Sequence, residues 1–503
     1  MGIYLNPGND EFYNAVINSK IYVDKTELLK FTNSVLCGEH KNICVSRPRR
    51  FGKSMAANML AAYYSKGCAS KELFEGLKIA KEQDYDEHLN KYNVIHMNMI
   101  DFLSRADSMD DLIDYLQRRL LWDIKKEYSD VDCFDWNDLV DVLETVYSEK
   151  KQPFIIIIDE WDCIFRKYPD NIEEQKKYLD FLRFFIKGKS YVALAYMTGI
   201  LPIKKYGEHS ALNMFDEYSM TNQRELAEFT GFTEEEVKEL CVRYDMPYEK
   251  MKQWYDGYLF GAEEIYNPWS VVNYIAQGCI PKAYWVNTGK NEILEEVLKT
   301  ATEDVIEKLY ALLQGERVVA RIDQNVVYRS LLEEPSSIYS LLLVAGYLKT
   351  PKKELQTDGS YLCEVSIPNW EIAAVYKAEI LSHLLQIGAV TRTTADRIAE
   401  SLYTNDVKKL QSAIAEYMDK SISFYDAGAE GFYHGLVLGL IALLDQQYKI
   451  TSNREFGEGR YDISLFPREL RYPGILMELK WKKGITEDTL KKLAKEALNQ
   501  IET

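Results

Sequence analysis

Residues 46–54 read Ser-Arg-Pro-Arg-Arg-Phe-Gly-Lys-Ser, and further along the chain Phe154 to Ile158 form an unbroken apolar run closed by Asp159 and Glu160. A Gly-Lys-Ser that follows one strand and opens a helix, with an acidic pair at the end of another strand, has the two halves of a nucleoside-triphosphate site. No other feature of the chain narrows its fold as far.

A phosphate loop works because a tight turn aims successive backbone N–H groups at phosphate while the next helix presents its positive N-terminus. On this reading Arg47, Pro48, Arg49, Arg50, Phe51 and Gly52 form the loop, Lys53 reaches the β and γ phosphates, and the Ser54 hydroxyl ligates Mg²⁺. Asp159 holds the same metal, directly or through water, and Glu160 orients or deprotonates the attacking water. The pattern departs from G-x-x-x-x-G-K-[ST] at its first position, where Arg47 stands in place of glycine and Pro48 stiffens the turn further. At the end of the strand-like run Tyr191 to Met197, Thr198 either senses the γ-phosphate or simply caps the strand. Arg166 and Arg183 are candidates for a transition-state arginine, as is an arginine supplied by a neighbouring subunit. Such a group is worth about 10³–10⁵ in rate.

The segments around this pair alternate. Strands are expected at 42–45, 92–99, 154–158 and 191–197, with helices at 55–64, 110–128, 136–147 and about 173–186. Strands that are almost wholly apolar, alternating with helices, imply a parallel sheet covered on both faces. The 503 residues exceed one core and imply several domains. We expect an α/β P-loop domain over 1–228, a mainly helical middle over 229–427, and a small α/β domain over 428–503. Thr233 and Glu236 form a capping box that opens the first helix of the middle. The aromatic clusters at 255–258 and 266–270 read as turns pinned by rings.

Composition excludes several classes of function. With 61 basic and 78 acidic residues the formal charge is −17, so nucleic acid must meet a local basic patch rather than the whole surface. Two patches qualify: Arg47, Arg49, Arg50 and Lys53, and a C-terminal set from Lys480 to Lys495, although composition alone favours reading the second as a solvated helix face. Apolar runs fall short of the roughly 20 residues of a membrane span, so no membrane association is expected. The N-terminus lacks the pattern of a secretory signal. The eight cysteines form no C-x-x-C pair, which fits reduced thiols in the cytoplasm.

Near the C-terminus, strands are expected at 448–454, 460–466 and 474–481, with a helix over 431–444 before them and one from Glu487 after. Asp462 lies on the second strand, with Glu478 and Lys480 on the third. Residues two apart on a strand share a face, so two carboxylates and a lysine can gather around Mg²⁺ and a water at a phosphodiester. Taken alone, Glu-x-Lys is also the pattern of an exposed ion pair.

The stretches Tyr22-Val23-Asp24-Lys25-Thr26, 47–54, Ile157-Ile158-Asp159-Glu160 and Thr198-Gly199-Ile200, with the aromatic turns near Tyr255 and Asn267, resemble bacterial AAA-ATPase-like proteins that carry a C-terminal PD-(D/E)XK nuclease-like domain. In that family the missing first glycine is usual. The resemblance implies ATP and Mg²⁺ as cofactors, DNA or RNA as a partner, and self-association. It also implies a restriction-endonuclease-like C-terminal fold with Asp462, Glu478 and Lys480 as its site, and Asp462 and Glu478 as its metal ligands. Glu430, Tyr433, His434 and Gln500 are the companions. Because such a core adds a strand after the helix bearing Gln500, the domain is expected to be trimmed. Two functions compete: an ATPase that controls a Mg²⁺-dependent nuclease, and a nucleotide-gated switch whose nuclease-like domain only docks.

Overall fold

A computed structural model describes residues 2–169, 171–203, 212–220, 224–260, 263–285, 292–300, 303–313, 315–323, 335–357, 359–386, 392–422, 448–456, 459–469, 471–478, 480 and 486–502. The chain divides into two compact units, Met1–Tyr284 with Arg321–Cys363, and Trp285–Ala320 with Glu364–Thr503.

In the first unit, Asn42–Ser46 (β1), Asn93–Asn98 (β2), Phe154–Asp159 (β3), Val192–Gly199 (β4) and Asp216–Tyr218 (β5) form one sheet in the order β2-β3-β4-β1-β5. Every pairing in it is parallel. β1, β3 and β4 are buried at every residue, which is why each reads as a continuous apolar run. On one face Ile43, Val45, Ile155, Ile157, Leu194 and Tyr196 share a core with the helix Lys53–Tyr64. The helices expected after β2 form as Met109–Glu127 and Leu139–Lys150. The second starts later than its apolar spacing suggested because the Asp138 carboxylate accepts the N–H groups of Val140 and Asp141 at 2.8 and 3.0 Å, fixing the cap there. The helix Ile172–Ile186 leads into β4.

Beyond the sheet, the capping box at Thr233 is present: the Glu236 carboxylate accepts from Thr233 N at 2.8 Å, and Thr233 Oγ1 accepts from Glu236 N at 3.3 Å. It opens the helix Glu234–Arg243. The aromatic turns are more ordered than expected. Phe232–Thr233 (β6), Tyr258–Phe260 (β7) and Glu263–Tyr266 (β8) make an antiparallel sheet of order β6-β8-β7. The Asn267 side chain then caps the helix Pro268–Ala276. Strands of two to four residues are too short to show alternation, so a period-based reading passes over them. A second core forms here, with Tyr255, Tyr266 and Tyr274 at its centre. Val318–Ile322 (β9), Lys349–Leu355 (β10) and Tyr361–Ser366 (β11) form another small sheet, in the order β10-β11-β9.

Trp370–Gln386, Arg392–Tyr403 and Val407–Ile422 are helices, and Tyr448–Phe456 (β12), Gly459–Pro467 (β13) and Ile475–Met477 (β14) form an antiparallel sheet before the helix Glu487–Glu502. The helix expected over 431–444, with Glu430, Tyr433 and His434, lies outside the described residues. All eight cysteines are free. Among the described residues no helix is long and apolar enough to cross a membrane.

What fixes the turn after β1 is a single buried side chain. Arg47 is fully buried, and its guanidinium donates to the carbonyls of Ser46 at 3.0 Å, Tyr218 at 2.7 Å and Leu226 at 3.3 Å, and to Thr230 Oγ1 at 3.0 Å. It also lies 4.7 Å over the Phe260 ring. Burial lowers its pKa to about 10, which still leaves it charged at neutral pH. One residue therefore joins the end of β1 to the end of β5 and to the segment that leads into the aromatic module. Arg47→Ala would strand several buried acceptors at once, and we expect it to destabilise the first unit by about 3 kcal/mol or more. Arg47→Met, which keeps the apolar bulk, should recover little. A urea midpoint for Arg47→Ala equal to that of the unaltered chain would show that the hydrogen bonds contribute nothing.

Candidate functional site

β1, β4 and β3 are adjacent and parallel, so the segments leaving them meet along one edge of the sheet. Register places Ser46 beside Gly199 and Ile158 beside Met197, which brings the loop after β1, Thr198 and Asp159 to neighbouring positions at the carboxyl ends of the strands. In open parallel sheets ligands bind at that end.

The loop after β1 reaches its helix through Gly52, whose φ of +83° is in the left-handed region that favours glycine. A Cβ built on Gly52 would meet nothing within 4 Å, so the backbone there borders open space. The first intrahelical bond runs from Ala56 N to Gly52 O at 3.0 Å. The N–H groups of Lys53, Ser54 and Met55 precede it as first-turn donors. Ser54 is exposed at this edge. The Lys53 ammonium is buried and donates to the carbonyls of Arg47 and Pro48 at 3.1 and 3.0 Å.

Opposite stand the acids. Asp159 is buried at the end of β3; its Oδ1 accepts from Thr198 Oγ1 and, at 3.0 Å, from Glu160 N. Glu160 takes a φ of +53°, an uncommon conformation for a side-chain-bearing residue, which turns the chain sharply at this point. Its Oε2 pairs with Arg166 Nη2 at 2.5 Å, on the short helix Cys163–Lys167. Arg166 Nε lies 3.7 Å from Asp162, whose Oδ2 accepts from Leu201 N at 3.2 Å. Asp162 is fully buried, and its Oδ1 has no hydrogen-bond partner among the described residues.

These charges act on one another. Burial lowers the Lys53 pKa, and Glu160, Asp159 and Asp162 oppose that by favouring the ammonium. Burial pushes the Glu160 carboxyl up, but Lys53, Arg166 and Arg49 outweigh it and hold the group below its ordinary range. Burial lifts Asp162 above the usual carboxylate range against the pull of Arg166. A buried ammonium, a helix N-terminus and open space beside Gly52 suit a phosphate, while Asp159 with the Ser54 hydroxyl is an all-oxygen set of the kind Mg²⁺ takes.

Two members of the expected loop have other work. The backbone N–H of Arg47 donates to Gly199 O at 3.0 Å, and its guanidinium is spent on the contacts described above. Phe51 is buried, its ring 4.9 Å from Tyr258 and 5.6 Å from Phe260. Of the residues expected to form the nucleotide-binding loop, Arg47 and Phe51 thus turn their side chains into the protein. Arg49 is half-buried and lies within electrostatic reach of Glu160. Asp162 does not stand out in the sequence, although its i,i+4 spacing to Arg166 is there to be read. Gly199 has a steric role, because a Cβ there would fall 2.6 Å from the Trp161 ring and 2.7 Å from Asp162 Oδ1.

In the C-terminal sheet, Ile463 pairs with Met477 and Ser464 with Leu476. Extending that register by one step sets Asp462 opposite Glu478, and opposed residues of an antiparallel pair share a face. Glu478 and Lys480 lie just past the end of β14 rather than within it, and Lys480 Nζ meets Glu478 Oε1 at 2.5 Å. Among the described residues no three or more His, Cys, Asp or Glu side chains gather as a metal cluster.

Residues 7–207 match the family model of a predicted AAA-ATPase, and residues 428–503 match that of the PD-(D/E)XK nuclease superfamily. An uncharacterized protein in the vnfD 5′ region of Azotobacter chroococcum mcd 1 is 22% identical over 470 residues, covering 88% of this chain and 83% of that one. Among solved structures, Cdc6p of Pyrobaculum aerophilum is 11% identical with a TM-score of 0.23, over 75% of this chain and 98% of its own. The Orc1 protein of Aeropyrum pernix, solved in complex with DNA, is 13% identical with a TM-score of 0.26, over 74% and 97%. The chain thus has the architecture of an AAA-ATPase-like domain followed, at its C-terminal end, by a domain of the PD-(D/E)XK nuclease superfamily.

Proposed function

We propose that the first unit binds ATP at the edge where β1, β4 and β3 end, hydrolyses it, and controls a metal-dependent nuclease activity of the C-terminal domain on DNA or RNA. The observation that carries the first half is the arrangement of buried Lys53 and buried Asp159 at that edge, with Thr198 hydrogen-bonded to the carboxylate and Glu160 next in the chain.

In this reading the first-turn N–H groups and Lys53 bind the phosphates, with Arg49 and Arg50 adding positive charge on the solvent side. Ser54 and Asp159 hold Mg²⁺, which when bound neutralises charge on the phosphate oxygens. Thr198 fixes the Asp159 carboxylate, and Glu160 orients the water and takes its proton. An arginine for the developing charge comes from Arg166 or from a second copy of the chain, so assembly governs the rate. In the C-terminal domain, Asp462 and Glu478 hold Mg²⁺ and Lys480 positions the water, with Glu430 as a further catalytic acid. Nucleic acid meets the lysines of that end rather than the acidic surface as a whole. Free thiols at all eight cysteines accord with a reducing compartment, the cytoplasm.

One observation favours a second reading. Glu160 is held by Arg166 at 2.5 Å, and a carboxylate engaged in that way is not positioned for water. A chain that bound ATP and kept this pair would switch between partners without turning over, and its nuclease-like domain would serve for docking.

Calorimetry and a phosphate-release assay separate the two. Lys53→Ala should abolish ATP binding, whereas Glu160→Gln should retain binding and cut hydrolysis by about 10²-fold or more. Tight binding by the unaltered chain with negligible turnover, even with nucleic acid added, would establish the switch. No binding at millimolar Mg·ATP would end both readings.

The nuclease half has its own test. Cleavage of DNA or RNA should require Mg²⁺, stop on chelation, and fall below detection in Asp462→Ala and Lys480→Ala. Cleavage that persists in both variants would belong to a contaminant or to another site.

A further inference from the structure

The loop between β1 and its helix has glycine only at position 52, yet Arg50 takes a φ of +71°. That conformation is uncommon for a residue with a side chain and persists where the surroundings enforce it. The surroundings here are aromatic. The Arg50 guanidinium is centred 4.3 Å over the Trp269 ring, and the next residue, Phe51, places its ring edge-on to Tyr258. On the other side, Gly346 brings its backbone against Pro48, where a Cβ would fall 2.8 Å from the proline ring.

Trp269 is itself fixed from two directions. Its backbone N–H donates to Asn267 Oδ1 at 2.9 Å, and its indole Nε1 donates to Tyr284 O at 3.3 Å. With its backbone capped and its indole nitrogen bonded, the ring presents a set π face to the guanidinium. The face is still partly open to solvent, with Trp269 41% exposed.

We propose that Trp269 is a positioning residue of the nucleotide site: acting through Arg50, it holds the phosphate loop in the left-handed turn that glycine would otherwise supply. The aromatic module is then a working part of the loop, and the loop's affinity for phosphate depends on a residue more than two hundred positions further along the chain. This rests on the reading of the loop as an ATP site.

The test is a double-mutant cycle on Mg·ATP binding by the full chain, read by calorimetry, with Arg50→Ala, Trp269→Ala and the pair. Each single change should weaken binding about three- to tenfold, and the double variant should be no weaker than Arg50→Ala alone. Trp269→Phe, which keeps a π face, should stay within about twofold of the unaltered chain. Trp269→Leu keeps apolar bulk without that face and should match the alanine variant, so the readout survives if the truncated residue does not fold. In turnover the loss in Trp269→Ala should appear in KM rather than in kcat at saturating ATP.

Losses that add in the double variant, normal binding by Trp269→Ala and Trp269→Leu, or a Trp269→Phe as weak as alanine would each overturn the proposal while leaving the ATP site standing. Failure of the unaltered chain to bind Mg·ATP would overturn the site itself, and the proposal with it.

Discussion

A guanidinium buried where a phosphate loop would carry its first glycine is the constraint around which the first unit is arranged. Taking a charge out of water costs several kcal/mol, so Arg47 is tolerable only because carbonyls from three segments and a threonine hydroxyl converge on it. That requirement runs in both directions. The end of β5, the turn at Leu226 and the approach to Thr233 must each lie where Arg47 can reach them, and once they do, the start of the loop cannot move. A glycine at this position would leave the turn free to adopt many conformations; the arginine replaces that freedom with a tether. The loop is then shaped from outside by packing, and the demand for glycine shrinks to Gly52 alone.

The same tether explains why the aromatic module is tied so closely to the sheet. Phe260 lies under Arg47 and beside Phe51, and the segment entering the module is anchored a second time at its far end. There Lys25 donates to Glu236 Oε2 and to Glu228 O, both at 2.6 Å. Glu236 is the same carboxylate that completes the capping box on Thr233. Burial lowers the Lys25 pKa, and Glu236 offsets it, so the two groups are a matched pair in a largely dry position. Two cations, the buried Arg47 and the half-buried Lys25, thereby fix the stretch from Leu226 to Glu236 against the AAA-ATPase-like region.

Much of this is legible in the sequence and some of it cannot be. Strands such as Ile155 to Ile158 announce themselves because a strand covered on both faces needs apolar residues throughout, and the acids that end it mark the sheet edge. Gly52, Lys53, Asp159 and Glu160 are legible as candidates because local spacing sets them at the ends of strands and at the start of a helix. The anchoring role of Arg47 escapes the sequence because its partners, Tyr218, Leu226 and Thr230, are more than 170 positions away and contribute mostly backbone. A carbonyl leaves no trace in a sequence. Asp162 escapes for a related reason: what singles it out is an orphaned oxygen in a dry interior, and burial of that kind is a property of the fold. The strands β6, β7 and β8 escape because they are short, although the aromatic residues that fill them stand out.

The Glu160–Arg166 pair shows how finely the candidate site is set. The carboxylates of Asp159, Glu160 and Asp162 face the cations Lys53, Arg49 and Arg166, so the cluster is close to neutral before any ligand is considered. On the proposed reading a triphosphate would bring negative charge to the side where Lys53 and Arg49 lie, and a divalent cation would bring positive charge to the side of Asp159. Each would weaken the hold of Glu160 on Arg166, since phosphate oxygens would compete for the guanidinium and the cation for carboxylates. The pair exchanges Coulomb energy at close range in a largely buried setting, where a charge-assisted hydrogen bond is worth about 1.5–3 kcal/mol. A bound triphosphate can offer Arg166 contacts of the same size. On the proposed reading, turnover would depend on a difference between two similar energies, and a partner or a second subunit that supplied even one more hydrogen bond would decide it.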